Sequence, residues 1–247
     1  MVPIPLALLV VTLNVYQTMA QPARRYAAIH AELTALAPDV VTFQEVRRLG
    51  PKRTSVDDVL PHYHRAIDGA YVGYHLAILS KHPIRRQFRV PLPKSPDRIA
   101  LGAVLDVHGT EVLVVTTHLD WQLDHHAQRQ AQLEAIVKVA NEFKGPVVLT
   151  GDLNFGDGEP EEQALPLTYR DAWRVLNAAL PGFTWDKKSN PMALRGSLPG
   201  EPSRRLDRIL ARGLLPMSVK LRFSTPIAPG LFPSDHFGVS AYLRLGP

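Results

Sequence analysis

Gly151-Asp152-Leu153-Asn154 closes an apolar run with a carboxylate and an amide two residues apart, and Ser234-Asp235-His236 sets a second carboxylate beside an imidazole. An Asp-x-Asn at a strand end is expected to present both side chains on one side of the pleat, because side chains alternate with period two. The imidazole adds what those groups lack, a ring that carries positive charge or donates a proton near neutral pH. A base, an amide donor and a protonatable ring brought together suit phosphoryl chemistry, in which charge builds on the non-bridging oxygens as water attacks.

Elements of the right kind exist to position them. Residues 11–15 and 40–46 are apolar, β-branched runs of strand length, ending at Asn14 in the first and at Gln44-Glu45 in the second. Between them, residues 26–36 have apolar side chains at helical spacing and stop before Pro38, so the unit reads as strand, helix, strand. Residues 112–119 form another apolar strand and deliver His118, while residues 204–210 place Asp207 between apolar neighbours. The longest helical pattern, 123–143, is ended by Gly145-Pro146 and leads into the strand that reaches Asp152. Asp171 is read as a helix start and Trp173 as core.

A chain of 247 residues with a 45% apolar fraction is most economically one domain over 1–247. A formal charge of +5 fits anionic partners such as nucleic acid or phosphate esters, and equally a basic enzyme with no such partner. With no Cys, any metal must be held by oxygen and nitrogen ligands. The apolar N-terminus has no Lys or Arg before it, as a signal peptide would, so it is read as an irregular leader over 1–6 followed by the first strand. No segment approaches membrane-spanning length, and the expectation is a cytoplasmic protein without a membrane partner.

Six motifs occur in order along nearly the whole chain: Leu13-Asn14-Val15, Gln44-Glu45-Val46, Thr117-His118-Leu119, Gly151-Asp152-Leu153-Asn154, Arg205-Leu206-Asp207-Arg208-Ile209 and Ser234-Asp235-His236. On these the chain resembles the endonuclease/exonuclease/phosphatase superfamily of metal-dependent phosphoesterases. The resemblance implies an α/β fold in four layers, a sandwich of two mostly antiparallel sheets flanked by helices, with the active site at one end. Phe183-Thr184-Trp185-Asp186, Ser189-Asn190 and Phe232-Pro233-Ser234-Asp235-His236-Phe237-Gly238 are similar to the tyrosyl-DNA phosphodiesterase 2 branch. One departure stands out. Where that branch carries an Arg that meets phosphate, this chain has Gly156.

Chemistry and resemblance together assign expected roles. Glu45 should hold Mg²⁺, or Mn²⁺ in its place, since a hard cation prefers carboxylates and water, with Asn14 orienting the metal or a phosphate oxygen. Asp152 should orient and deprotonate the attacking water, and Asn154 should donate to a non-bridging oxygen. The resemblance puts Asp207 beside His236, leaving the ring partly protonated to stabilise the transition state, and turns Asp235 to the metal or water side. His118 is read as a phosphate donor, with a satisfied core histidine as the alternative. Arg98 aligns with a phosphate-facing Arg of the branch, or is simply solvated. Trp185 either stacks on a base or leaving-group ring or packs under a loop. Asn190 and the basic pair Arg204-Arg205 are placed with it along an extended anionic strand. His62, His64, His125 and His126 form no evident ligand set. The expected activity is in-line hydrolysis of a phosphodiester, foremost at nucleic acid ends such as 5′-tyrosyl DNA. An abasic-site endonuclease, a sphingomyelinase, an inositol-phosphate phosphatase or an inactive binding module of the same fold are the rivals, and the oligomeric state is left open.

Overall fold

The computed structural model describes residues 7–18, 20–46, 60–68 and 75–245, so the expected leader over 1–6 lies outside the described residues. The strands are β1 Ala7–Asn14, β2 Val40–Val46, β3 His64–Ile67, β4 His75–Ser80, β5 Ile84–Pro91, β6 Ile99–Val107, β7 Thr110–His118, β8 Val147–Asp152, β9 Arg170–Asp171, β10 Asp207–Arg212, β11 Leu214–Arg222 and β12 Gly238–Leu245. The helices are α1 Pro22–Leu36, α2 His126–Glu142, α3 Ala172–Asn177 and α4 Pro191–Gly196. One sheet has the order β11-β12-β1-β2-β4-β3 and the other β5-β6-β7-β8-β10-β9. Each contains a single parallel pair, β1 with β2 and β7 with β8, and all other neighbours are antiparallel. The helical crossover that a parallel pair needs is α1 in the first sheet and α2 in the second.

Strand parity builds the layers. Leu8 and Val10 of β1, Val40 of β2, Val112 and Val114 of β7, Val148 of β8 and Ile209 of β10 belong to one buried cluster between the sheets. The alternate residues Val11, Leu13, Val41 and Phe43 pack with Ile29 and Leu33 of α1, and Leu113, Val115, Val147 and Leu149 pack with Leu133 and Ile136 of α2. The result is helix, sheet, sheet, helix. Burying a Val, Leu, Ile or Phe side chain stabilises by about 1.5–3 kcal/mol, so this alternation leaves few ways to slide a strand by one residue.

Following the inner-face parity toward the strand ends, apolar residues give way to polar ones. Thr12, Thr42, Gln44, Thr116 and Thr150 are all buried and bridge the sheets: Thr42 Oγ1 lies 2.9 Å from Thr150 Oγ1, and Gln44 Nε2 donates to Thr116 Oγ1 (2.9 Å) and Thr12 Oγ1 (3.2 Å). One step further the same parity delivers Asn14, His118, Asp152 and Asp207. The site is thus an outgrowth of the sandwich core. Residues 11–15 and 26–36 had been expected as strand and helix; β1 begins earlier, at Ala7, and α1 at Pro22, where a proline fits the first turn because its missing N–H would have no helical partner. Asp171 caps α3 by accepting from the backbone N–H of Trp173 and Arg174, and Trp173 is buried, both as expected.

Candidate active site

A cavity of about 450 Å³ opens at this end of the sandwich, lined among others by Glu45, His118, Trp121, Asp152, Asp235 and His236. A larger groove of about 840 Å³ lies where β7 and β8 begin, at Thr110 and Pro146, far from any of these groups. The candidate chemical groups therefore gather at the first cavity.

Asn14, His118, Asp152 and Asp207 come to this end of the sandwich by inner-face parity, whereas Asn154 and Glu45 need a backbone irregularity. Gly151, at φ +132°, is the next-to-last residue of β8, where a Cβ would stand 2.0 Å from the Thr117 carbonyl oxygen, so a side chain there would push β7 away from the strand bearing Asp152. Asn154 was expected to join Asp152 through pleat alternation. Instead β8 ends at Asp152, and Asn154 sits at φ +55° with its N–H donated to Asp152 Oδ1 (3.0 Å). The carboxylate itself stabilises the turn, as short polar side chains do. Glu45 has outer-face parity, yet its φ of +56° and the register shift between Phe43 and Val46 turn it into the cavity.

Asp152 is the hub. Its Oδ2 accepts from Asn14 Nδ2 (2.9 Å) and lies 3.5 Å from His118 Nε2 and 3.7 Å from His236 Nε2. The other nitrogen of His236 meets Asp207 Oδ2 at 2.8 Å, giving an Asp207–His236–Asp152 series across the sheets. Burial alone would raise the Asp152 carboxyl, but His236, His118 and the hydrogen bonds from Asn14 and Asn154 outweigh it and hold it below the ordinary carboxylate range. Burial opposes charge on His236 too, but Asp207 and Asp152 on either side raise its pKa well above the usual imidazole value. His118, buried and close to Arg98, is pushed the other way and stays neutral to lower pH.

Asn14 ties the acids of the site together. Its Oδ1 accepts from the Tyr16 N–H (3.1 Å), a turn-forming contact, while its Nδ2 donates to Glu45 Oε1 (3.2 Å) as well as to Asp152. It orients two carboxylates, and its Oδ1 keeps a second lone pair beside the bond from Tyr16. The donor set of the cavity fits a hard divalent ion. Glu45 and Asp235 supply oxygens, and the Asp235 carboxyl is pushed up to about 7, mainly by burial, with the nearby Glu45 adding to it and His236 opposing it. Asp152, Asp207 and His236 also lie within ligand reach of one another. There the ring nitrogens already face the two acids, so a cation would have to displace the proton that those acids stabilise.

Arg98 lines the cavity and donates from Nη1 to the carbonyls of His118 (2.8 Å) and Leu119 (2.6 Å). Trp185 lines it as well, but only 7% of the residue is exposed; its ring packs with Ala193 and Leu206 and stands 4.9 Å from the His236 ring. Asn190 does not reach the cavity: it is fully buried, caps α4 through the Met192 N–H, and donates Nδ2 to the carbonyls of Ser234 and Asp235. Its amide positions the loop that carries His236. The basic pair is spent internally, Arg204 on Glu201 and Glu159, Arg205 on Asp157 and Asp171 (2.8 Å), so neither side chain tracks an anionic strand. At Gly156 a Cβ would stand 2.9 Å from Glu159 Oε1 and 3.3 Å from Arg204 Cδ, so the stem of Arg204 crowds the position where the branch has Arg. His126 stands beside Glu159 and Glu161, a grouping not anticipated, but Glu161 is already paired with the buried Arg129 at 2.6 Å.

Other contributors were not foreseen. Arg25 is buried and donates to the carbonyls of Val15, Tyr16 (2.6 Å), Thr18 and Pro233 (3.0 Å), tying the loop after β1 to the loop that holds Asp235 and His236. Thr184 Oγ1 accepts from the N–H groups of Leu206 and Asp207, both at 3.0 Å, and fixes the entry to β10. Trp121, 51% exposed, forms part of the cavity rim. An aromatic placed two residues beyond the strand-end Thr117-His118-Leu119 was the available signal.

The Endonuclease/Exonuclease/phosphatase family model matches residues 11–236, from β1 through His236. The chain belongs to the endonuclease/exonuclease/phosphatase family. It is similar to mouse tyrosyl-DNA phosphodiesterase 2, 32% identical over 225 residues covering 86% of this chain and 59% of the relative, and to the human protein of that name, 28% identical with 90% and 64% covered. The chain thus spans about 60% of the length of the curated relatives it matches. Among solved structures, D. rerio TDP2 complexed with single strand DNA product superposes with TM-score 0.84 at 23% identity, covering 96% of this chain and 98% of that one. An endonuclease/exonuclease/phosphatase family protein from Bacteroides thetaiotaomicron gives 0.79 at 20% identity, covering 99% and 100%. The family fold, two mixed six-stranded sheets with flanking helices, is therefore the fold of this chain.

Proposed function

We propose that the chain is a divalent-metal-dependent phosphodiesterase that hydrolyses esters at nucleic acid ends, with 5′-tyrosyl DNA as the leading substrate. The observation that carries the reading is Asp152, held ionised at the centre of two histidines, two amides and a facing acidic group in one cavity. The curated relatives named tyrosyl-DNA phosphodiesterase 2 supply the substrate class.

The chain's own residues divide the work. Asp152 accepts the proton of the attacking water, since an ionised carboxylate held by Asn14 has a lone pair to offer in a fixed direction. His236, kept protonated by its flanking acids, donates to the phosphoryl oxygens as charge develops. Asn154 commits one N–H to the Leu119 carbonyl (2.9 Å) and keeps the other for a non-bridging oxygen. His118 and Arg98 face the same space as phosphate contacts. Glu45 and Asp235 would hold Mg²⁺ or Mn²⁺, with Asn14 steadying Glu45; bound there, the ion would neutralise phosphoryl charge. Among the described residues no helix is long and apolar enough to cross a membrane.

Three measurements test this. Side-by-side turnover of 5′-tyrosyl DNA, abasic duplex, sphingomyelin and an inositol polyphosphate should favour the first; preference for either of the last two rejects the nucleic acid reading. Glu45→Gln should raise the Mg²⁺ concentration for half-maximal rate by about 10-fold or more, because it removes a ligand charge. An unchanged metal requirement would take Glu45 out of that role, and full activity after exhaustive chelation would overturn metal dependence.

A further inference from the structure

Trp121 stands apart from the other two tryptophans of the chain. Trp173 and Trp185 are 8% and 7% exposed, whereas Trp121 is 51% exposed at the rim of the catalytic cavity. An indole left half open to water forgoes hydrophobic stabilisation, which is ordinary for a mobile surface residue. Its backbone is anything but loosely held.

The preceding residue, Asp120, is buried and tied on every side: its N–H donates to Gln132 Oε1 (3.1 Å), its Oδ1 accepts from the Gln122 N–H (3.1 Å) and lies 2.9 Å from His125 Nδ1, and its Oδ2 accepts from Gln128 Nε2 (2.8 Å). The fully buried Arg129 of α2 donates to the carbonyls of both Asp120 and Gln122, and is itself held by Glu161. Arg98 fixes the carbonyls of His118 and Leu119 just upstream. The residues on both sides of Trp121 are thus locked to α2 and to the end of β7, and the exposed ring is displayed from a fixed base. Aromatic platforms that grip bases have this form, a large flat surface presented at little entropic cost. Trp185, the alternative platform, is committed to packing against His236, Ala193 and Leu206.

Resting on the proposed activity, we infer that Trp121 is a specificity-determining residue that stacks on a planar aromatic ring of the substrate beside the scissile phosphate, either the terminal base or the tyrosyl leaving group. It takes no part in proton transfer. Its contribution is to binding, so removing it should raise KM.

The test compares wild type, Trp121→Ala and Trp121→Phe on four single-stranded oligonucleotides: one with a 5′-tyrosyl ester, one with the terminal base removed, one with an alkyl ester replacing tyrosyl, and one with both changes. Trp121→Ala is expected to raise KM on the full substrate by about 10-fold, in the range that base stacking provides, with Trp121→Phe recovering most of it. The decisive result is coupling. On the oligonucleotide lacking the ring that Trp121 contacts, wild type and Trp121→Ala should have the same KM, and which arm behaves so identifies base or tyrosyl. A merely structural tryptophan would give the same ratio on all four. If wild type cleaves the oligonucleotides and that ratio is constant, or Trp121→Ala leaves KM within about 2-fold, the inference falls and the proposed activity stands. If wild type cleaves none of them, both fall.

Discussion

Asp152→Asn is expected to lower kcat on the proposed substrate, 5′-tyrosyl DNA, by about 10³-fold or more, the scale set by loss of a positioned general base. The substitution keeps size and shape, so Asn14 and the two histidines retain a neighbour, but the amide has no charge with which to take a proton from water. The same loss removes the acid that, after Asp207, does most to keep His236 protonated, so two functions fail together. Steady-state kinetics with a thermal melt as a folding control measures the effect. A folded variant within 10-fold of wild type would strip Asp152 of its role.

His236→Ala is expected to cost a similar factor of about 10³, by removing the donor aimed at the developing phosphoryl charge. A pH profile separates donor from bystander. Because the ring's pKa is raised, its charged form persists through neutral pH and is lost only as pH rises through the raised value, so the rate should fall on the alkaline side. Asp207 is the strongest of the groups raising it. Asp207→Asn should therefore bring the alkaline fall to lower pH while leaving the acid side, where Asp152 takes up its proton, less affected. An alkaline limb that does not move would show that His236 acts without its proton.

Much of this was legible in the sequence because buried strands and amphipathic helices obey simple periods. The β1–α1–β2 unit, β7, β8 and α2, and the Asp171 cap of α3 all follow from apolar spacing and terminal polar residues. What periodicity cannot see is a departure from it. Asn154 and Glu45 enter the cavity through left-handed backbone, so Asn154 arrives beside Asp152 by a route other than the pleat alternation that predicts it. Charge counting failed for a related reason: Arg204 and Arg205 look like a basic patch in one dimension, but the acids that neutralise them come from distant loops. Asn190 belongs to the same class, a polar side chain beside functional motifs whose amide is consumed by backbone. Trp121 lies in a loop with no period at all.

The two sheets each bring only part of the candidate site, Asn14 and Glu45 from one, His118, Asp152 and Asp207 from the other, with His236 leading into β12. Apolar packing between sheets is non-directional and tolerates sliding, whereas the hydrogen bonds Thr42–Thr150, Gln44–Thr116, Asn14–Asp152 and His236–Asp207 do not. A ligand held between these groups touches both halves at once and has no equivalent site on either half alone. Occupancy and sheet docking are then thermodynamically linked: whatever binds there adds to the free energy needed to part the sheets, and any strain that parts them must weaken binding by the same amount.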